Sequence, residues 1–159
     1  MNEQKTQMND GFTLIELMIV FAIIAIISTI AMPNIRLMIN NSRLNEAARD
    51  IQGVIQLARS TAIRRNINVG INFTTGIGNN GTYVCYVDND ASWAFSIGDL
   101  LIRDGTMPNN VNLIQASPLS MRFTSRGIPA YSGFIRLENA TVSRSRRIDV
   151  FATGYSRIQ

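Results

Sequence analysis

The chain has no histidine, one cysteine and one lysine, so most side chains that carry acid–base, nucleophilic or zinc chemistry are missing from it. Histidine-based hydrolytic triads and the common zinc sites therefore lack their parts. No phosphate-binding glycine loop follows a strand pattern. Cys85 has no second cysteine to pair with and reads as a small buried apolar residue. Asp88, Asp90, Ser92 and Asp99 stand at positions 1, 3, 5 and 12 of a calcium-loop count, but Trp93 takes the place that needs glycine. Asp99 is also shorter than the bidentate glutamate, and no pair of helical patterns flanks the segment. The four residues read as a solvated loop, with no metal ligand and no cofactor assigned and no enzyme activity expected.

Two features keep some chemistry. Arg144, Arg146, Arg147 and Arg157 lie near the C-terminus of a chain whose formal net charge is +4. Forked guanidinium donors suit phosphates, which makes the four a candidate for sequence-independent DNA binding. The alternative is a solvated, partly paired face, with Arg146 sharing the strand parity of Ile148 and Val150 and lying at a strand end or folded over Asp149. The other feature is Glu16, the only charge between Phe12 and Met32. A carboxylate in hydrocarbon costs about 2.5–3.5 kcal/mol on insertion scales, so it calls for a partner. An interfacial position near a helix end is the other reading.

Three kinds of segment must position these residues. Residues 12–32 form an apolar stretch of 21 residues, closed by Pro33. As a helix it would be about 30 Å long, the thickness of a bilayer's hydrocarbon. It exceeds the apolar core of a secretory signal, about 7–15 residues, and no A-x-A cleavage site follows, so it reads as a membrane span. From residue 34 to 65 apolar residues return at helical spacing: Leu37, Leu44, Ala47, Ala48, Ile51, Val54, Ile55, Ala58 and Ala62. Arg43, Glu46, Arg49, Asp50 and Arg59 fall between them, the pattern of an amphipathic helix with one buried stripe. Pro33 bends a helix without always ending it, so the two stretches read as one long, bent helix.

After Asn66 the period changes to two, with Ile67, Val69, Ile71 and Phe73 alternating against Asn68, Gly70 and Asn72. That is a half-buried strand, and the glycine-rich turn at 76–81 with the run 83–87 completes a hairpin. Further strands are expected at 100–103, 111–114, 119–124, 134–137 and 148–151, separated by turn pairs such as Arg126-Gly127 and Thr153-Gly154. The fold class is α+β: a long N-terminal helix packed on a C-terminal antiparallel β domain. With 46% hydrophobic and only 16% charged residues, part of the apolar surface must face a membrane or an assembly.

The segment Gly11-Phe12-Thr13-Leu14-Ile15-Glu16-Leu17 resembles the class III signal of type IV pilins and type II secretion pseudopilins. The resemblance implies a prepilin peptidase that cuts between Gly11 and Phe12 and methylates Phe12. Glu16 then becomes residue 5 of the mature chain. In the family it meets the N-terminus of a neighbouring subunit, which makes it a register pin for assembly. Pro33 falls where many members carry a helix-kinking proline. The implied organisation is a leader at 1–11, a transmembrane and assembly helix at 12–33, an amphipathic helix at 34–66 and a periplasmic β domain at 67–159. Asp10 stands where most leaders have a basic residue, so inside-N topology rests on the resemblance. Met8 offers a second start, with a very short leader.

Three later segments resemble the GspH/FimT branch of minor pseudopilins: residues 58–66 (ARSTAIRRN), residues 123–127 (FTSRG), and the ending with Arg146-Arg147-Ile148-Asp149-Val150 and Thr153-Gly154-Tyr155-Ser156-Arg157. Tyr155 stands where the branch's Gly-Arg-x-Arg ending has its first arginine, which weakens any activity needing both. The implied protein is a structural subunit of a type II secretion pseudopilus or a type IV pilus, anchored once in the bacterial inner membrane. Its implied partners are prepilin peptidase and other pilins. The rival implication is a pilus-associated minor pilin that binds DNA for uptake.

Overall fold

The computed structural model describes residues 12–76, 80–92 and 94–159. Gly11 and the rest of the expected leader, part of the first turn cluster, and Trp93 lie outside these residues. The chain divides into two compact units, Met1–Leu37 and Met38–Gln159, and the division falls beyond Pro33 rather than at it.

One helix, α1, runs Leu14–Arg65 with Pro33 inside it. In the first unit its large apolar residues, from Leu14 to Leu37, are exposed to the surroundings. Leu37, expected in the buried stripe, belongs to this exposed set. In the second unit the stripe begins at Asn40 and continues through Leu44, Ala47, Ala48, Ile51, Val54, Ile55, Ala58, Thr61 and Ala62. Four of these are alanines, which lets the sheet side chains approach the helix closely. The helix ends in a Schellman motif: Asn66 takes φ 53°, Ile67 N donates to Ala62 O at 3.2 Å, and Asn66 N donates to Ile63 O at 3.3 Å.

Two antiparallel four-stranded sheets complete the second unit. The strands are β1 (Val69–Thr74), β2 (Thr82–Val87), β3 (Leu100–Thr106), β4 (Val111–Ser117), β5 (Ser120–Phe123), β6 (Gly133–Asn139), β7 (Arg144–Val150) and β8 (Ser156–Ile158). Their orders are β3-β2-β1-β5 and β4-β6-β7-β8. The alternation at 69–73 puts Val69, Ile71 and Phe73 into the core. The hairpin pairs Ile71 with Cys85. The helical stripe and the inner positions of both sheets, including Leu113, Phe123, Ile135, Leu137 and Ile148, form one hydrophobic cluster.

Polar contacts fix how helix and sheets meet. Tyr83 Oη donates to Asp50 Oδ2 at 2.7 Å, and Asp50 also pairs with Arg103. Gln52 Nε2 donates to Ser156 O and Gln56 Nε2 to Ser156 Oγ, both at 3.0 Å. These two bonds hold β8, a strand the sequence reading did not contain. Its three residues show no alternation, and its ladder to β7 includes Gln159 N to Arg147 O at 2.7 Å. The strand expected at 148–151 begins instead at Arg144, because arginines at a sheet's rim read as loop although the backbone pairs there.

Candidate functional site

The N-terminal segment is built as a capped helix start. Thr13 Oγ1 accepts from Glu16 N at 3.3 Å, the N-cap bond of a Thr-x-x-Glu capping box, a signal the sequence reading missed. Glu16 sits in the first turn, where a negative charge complements the helix dipole. Phe12 and the apolar residues after it are exposed, Phe12 at 86%. Among the described residues no ion pair reaches Glu16. Pro33 has no N–H to give the carbonyl of Thr29, so one rung of the helix is missing there. The helix is long and apolar enough to cross a membrane.

The three later segments meet in space. Gly154 O accepts from Arg59 Nη1 at 3.4 Å. Gly127 and Gly154 both take the left-handed backbone, φ 72° and 79°. A β-carbon on Gly127 would lie 2.5 Å from Ile63 Cδ1 and 3.2 Å from Arg59 Cγ. One on Gly154 would lie 2.6 Å from Gly127 O and 3.0 Å from Arg59 Nε. Residues from 58–66, 123–127 and 153–157 thus form a clasp, in which two glycines admit the Arg59 side chain and the loop after β7 closes on α1.

The four C-terminal arginines do not share a face. In β7, Arg146 lies on the side of Ile148 and Val150, and its Nε donates to Asn45 Oδ1 of α1 at 3.0 Å. Arg147 lies on the opposite side, 4.0 Å above the ring of Phe134 and paired with Asp149 at 2.6 Å. Arg157 stands across the ladder from Asp149, and directly opposed residues share a face. Arg147 and Arg157 therefore flank Asp149 on the outer surface, while Arg146 belongs to the helix contact. Arg144 is exposed at the start of the strand.

Burial pushes the Cys85 thiol up to about 12, which keeps it from acting as a nucleophile. The segment read as a solvated calcium-like loop is solvated only in part: the Asp88 side chain has no exposure and faces Arg122, with Nε 2.9 Å from Oδ2.

The family described as Type II transport protein GspH matches residues 47–154, from the first alanine of the buried stripe to the clasp glycine Gly154. The Prokaryotic N-terminal methylation motif matches residues 7–32. Pilin-like protein PilA1 of Thermus thermophilus is 29% identical over 157 residues, 94% of this chain and 97% of that protein. Among solved structures, the type IV minor pilin FimU of Pseudomonas aeruginosa aligns with a TM-score of 0.59 at 16% identity, over 75% of this chain and 90% of that one. The minor pseudopilin EpsH of the Vibrio cholerae type 2 secretion system aligns with a TM-score of 0.52 at 12% identity, over 74% and 96%. These two likenesses concern the fold: one long N-terminal helix with antiparallel sheets. The family match takes in most of the helical stripe, most of both sheets and the clasp residues Arg59, Gly127 and Gly154, and with the methylation motif at its N-terminal end the chain belongs to the GspH family as a minor pseudopilin of the GspH/FimT type.

Proposed function

We propose that this chain is a membrane-anchored filament subunit, cut between Gly11 and Phe12 by a prepilin peptidase and joined to other pilin-like subunits through α1. The observation that carries the reading is the overlap of the methylation motif, residues 7–32, with a helical stretch whose large apolar side chains are exposed among the described residues. An uncovered stripe of this length suits lipid before assembly and neighbouring helices after it. Cutting before Phe12 keeps the Thr13 cap in the mature chain and creates a positive α-amino group beside the helix start. Glu16, without a charge partner in its own described chain, is then available to the N-terminus of a neighbour. The β domain lies on the periplasmic side and presents its surface to other minor subunits or to cargo.

A photocrosslinking residue at Ile19 or Ile23, both exposed, tests this in the cell. Capture of another pilin-like subunit supports assembly through the helix. Crosslinks to lipid alone, in cells that assemble the filament, would remove the basis for it.

A further inference from the structure

Arg36 is the only cation between Lys5 and Arg43, and neither the domain core nor the proposed assembly uses it. It is exposed on α1, just past Pro33. Its Nη2 reaches Met32 Sδ at 3.8 Å, and a thioether is a weak acceptor without charge. Among the described residues no carboxylate pairs with Arg36. One helical turn away on either side stand Met32, Pro33, Ile39 and Asn40, so no acid on α1 lies at the spacing of an ion pair.

A hollow of about 280 Å³ lies beside this guanidinium, lined by Ser28, Ala31, Met32, Ile35 and Arg36. Ser28 Oγ donates to Ile24 O at 2.7 Å, which commits its hydrogen to the helix. The hollow therefore offers an apolar wall and one cation, which is complementary to hydrocarbon joined to an anion. Position along α1 identifies the amphiphile. The apolar run ends at Met32, and Arg36 lies about 6 Å of helix beyond it. That is headgroup depth when the stretch at 12–32 fills the hydrocarbon. Helical side chains lean toward the N-terminus, which aims the guanidinium back at the boundary and explains its contact with Met32. Glu16 precedes Arg36 by about 30 Å of helix, the hydrocarbon thickness again. With Arg36 at one phosphate layer, Glu16 stands at the opposite boundary instead of within the hydrocarbon, where its charge would be costly.

We propose that Arg36 binds the phosphate of a membrane phospholipid whose acyl chain lies along the hollow, and that this contact sets the depth of the unassembled anchor. The inference rests on the reading of residues 12–32 as a membrane span. The forked donors of a guanidinium match the oxygens of a phosphodiester. Held at this depth, Glu16 stays hydrated until a neighbouring subunit supplies its partner. A subunit that leaves the bilayer for the filament gives up this lipid.

Native mass spectrometry of the full chain released from detergent micelles tests it, with dioleoylphosphatidylglycerol and dioleoylglycerol as probes that share their acyl chains and differ in the phosphate. The chain should retain the phospholipid in preference to the diacylglycerol. Arg36→Gln should lower that retention about fivefold, and Arg36→Lys, which keeps the charge, should preserve most of it. Arg126→Gln, exposed on the loop after β5, should leave it unchanged. Equal retention of the two lipids, or phospholipid retention that survives Arg36→Gln, would overturn the proposal. Alkaline carbonate washing of cell membranes separates it from the reading it rests on. A chain that stays in the pellet yet shows no lipid preference contradicts the phosphate contact alone, and a chain that washes off contradicts the span as well.

Discussion

The carbonyl oxygen of Gly127 lies 2.6 Å from the place a β-carbon on Gly154 would occupy, so the two loops meet only because residue 154 has no side chain. The obstacle is backbone, which cannot swing aside, and Gly154 also holds φ 79°. Gly154→Ala should destabilise the protein by about 2 kcal/mol or more, the sum of left-handed strain and a displaced loop. Gly53→Ala is the matched control, since nothing lies within 4 Å of its added carbon on α1. That substitution should stabilise by roughly 0.5–1 kcal/mol. Paired thermal denaturation curves measure both signs.

Alkaline pH should destabilise the protein through buried groups, Cys85 and Tyr83 among them. Burial raises the Cys85 thiol from 9.0 to about 12. Burial and the hydrogen bond to Asp50 raise the Tyr83 phenol from 10.0 to about 12. A raised folded-state value means that the folded chain holds its proton while the unfolded chain releases it. The stability these groups contribute is therefore complete below pH about 9 and falls as pH rises toward 12. Denaturant midpoints across pH 7–11 should decline above about 9, and Ellman's reagent at pH 8 should label Cys85 only after unfolding. Fast labelling of the folded protein would contradict the burial of this thiol.

Arg146 should behave as a packing residue and Arg147 with Arg157 as surface residues. Arg146→Gln removes the bond to Asn45 and should cost about 1 kcal/mol. Arg157→Gln, on an exposed residue, should cost less than about 0.5 kcal/mol. Because the four arginines divide between two faces, double-stranded DNA should bind weakly or not at all. A salt slope that drops by about 0.9 for each arginine removed would instead establish a phosphate track.

The proposed pairing of Glu16 with a neighbouring N-terminus can be separated from its place in the capped first turn by two substitutions. Glu16→Gln keeps a side chain suited to the capping box with Thr13 but loses the charge, whereas Glu16→Ala loses both. If the charge pairs with a neighbouring N-terminus, both variants should be processed and retained in the membrane yet fail to co-purify with the filament. Normal incorporation of the glutamine variant would show that assembly does not need the charge of Glu16.

Much of the fold was legible because its periodicities are clean. The stripe from Leu44 to Ala62 and the alternation at Val69, Ile71 and Phe73 each place a face directly into the core. Elements without periodicity were not legible: Ser156–Ile158 is too short to alternate, and it exists as a strand because Gln52, Gln56 and β7 hold it. Leu37 shows the opposite failure, an apolar residue at the right spacing that the core does not reach. The site was legible in part. Glu16 stood out as a charge in an apolar run, but the Thr13 cap beside it went unread. The segments carrying Arg59, Gly127 and Gly154 resembled a family without explaining why. Their contact joins residues far apart in the chain, which no local pattern records. Asp88 was read with its loop although it directly follows buried Val87, and the burial of the strand end extends to it.

Entry of this chain into a filament as a processed subunit beginning at Phe12 is tested most directly by intact-mass measurement of protein extracted from membranes. The expected mass is lower by residues Met1 to Gly11 and higher by one methyl group, with the methyl on Phe12. An uncut chain in cells with active prepilin peptidase, or a cut near Ala31 as in a secretory signal, would contradict it.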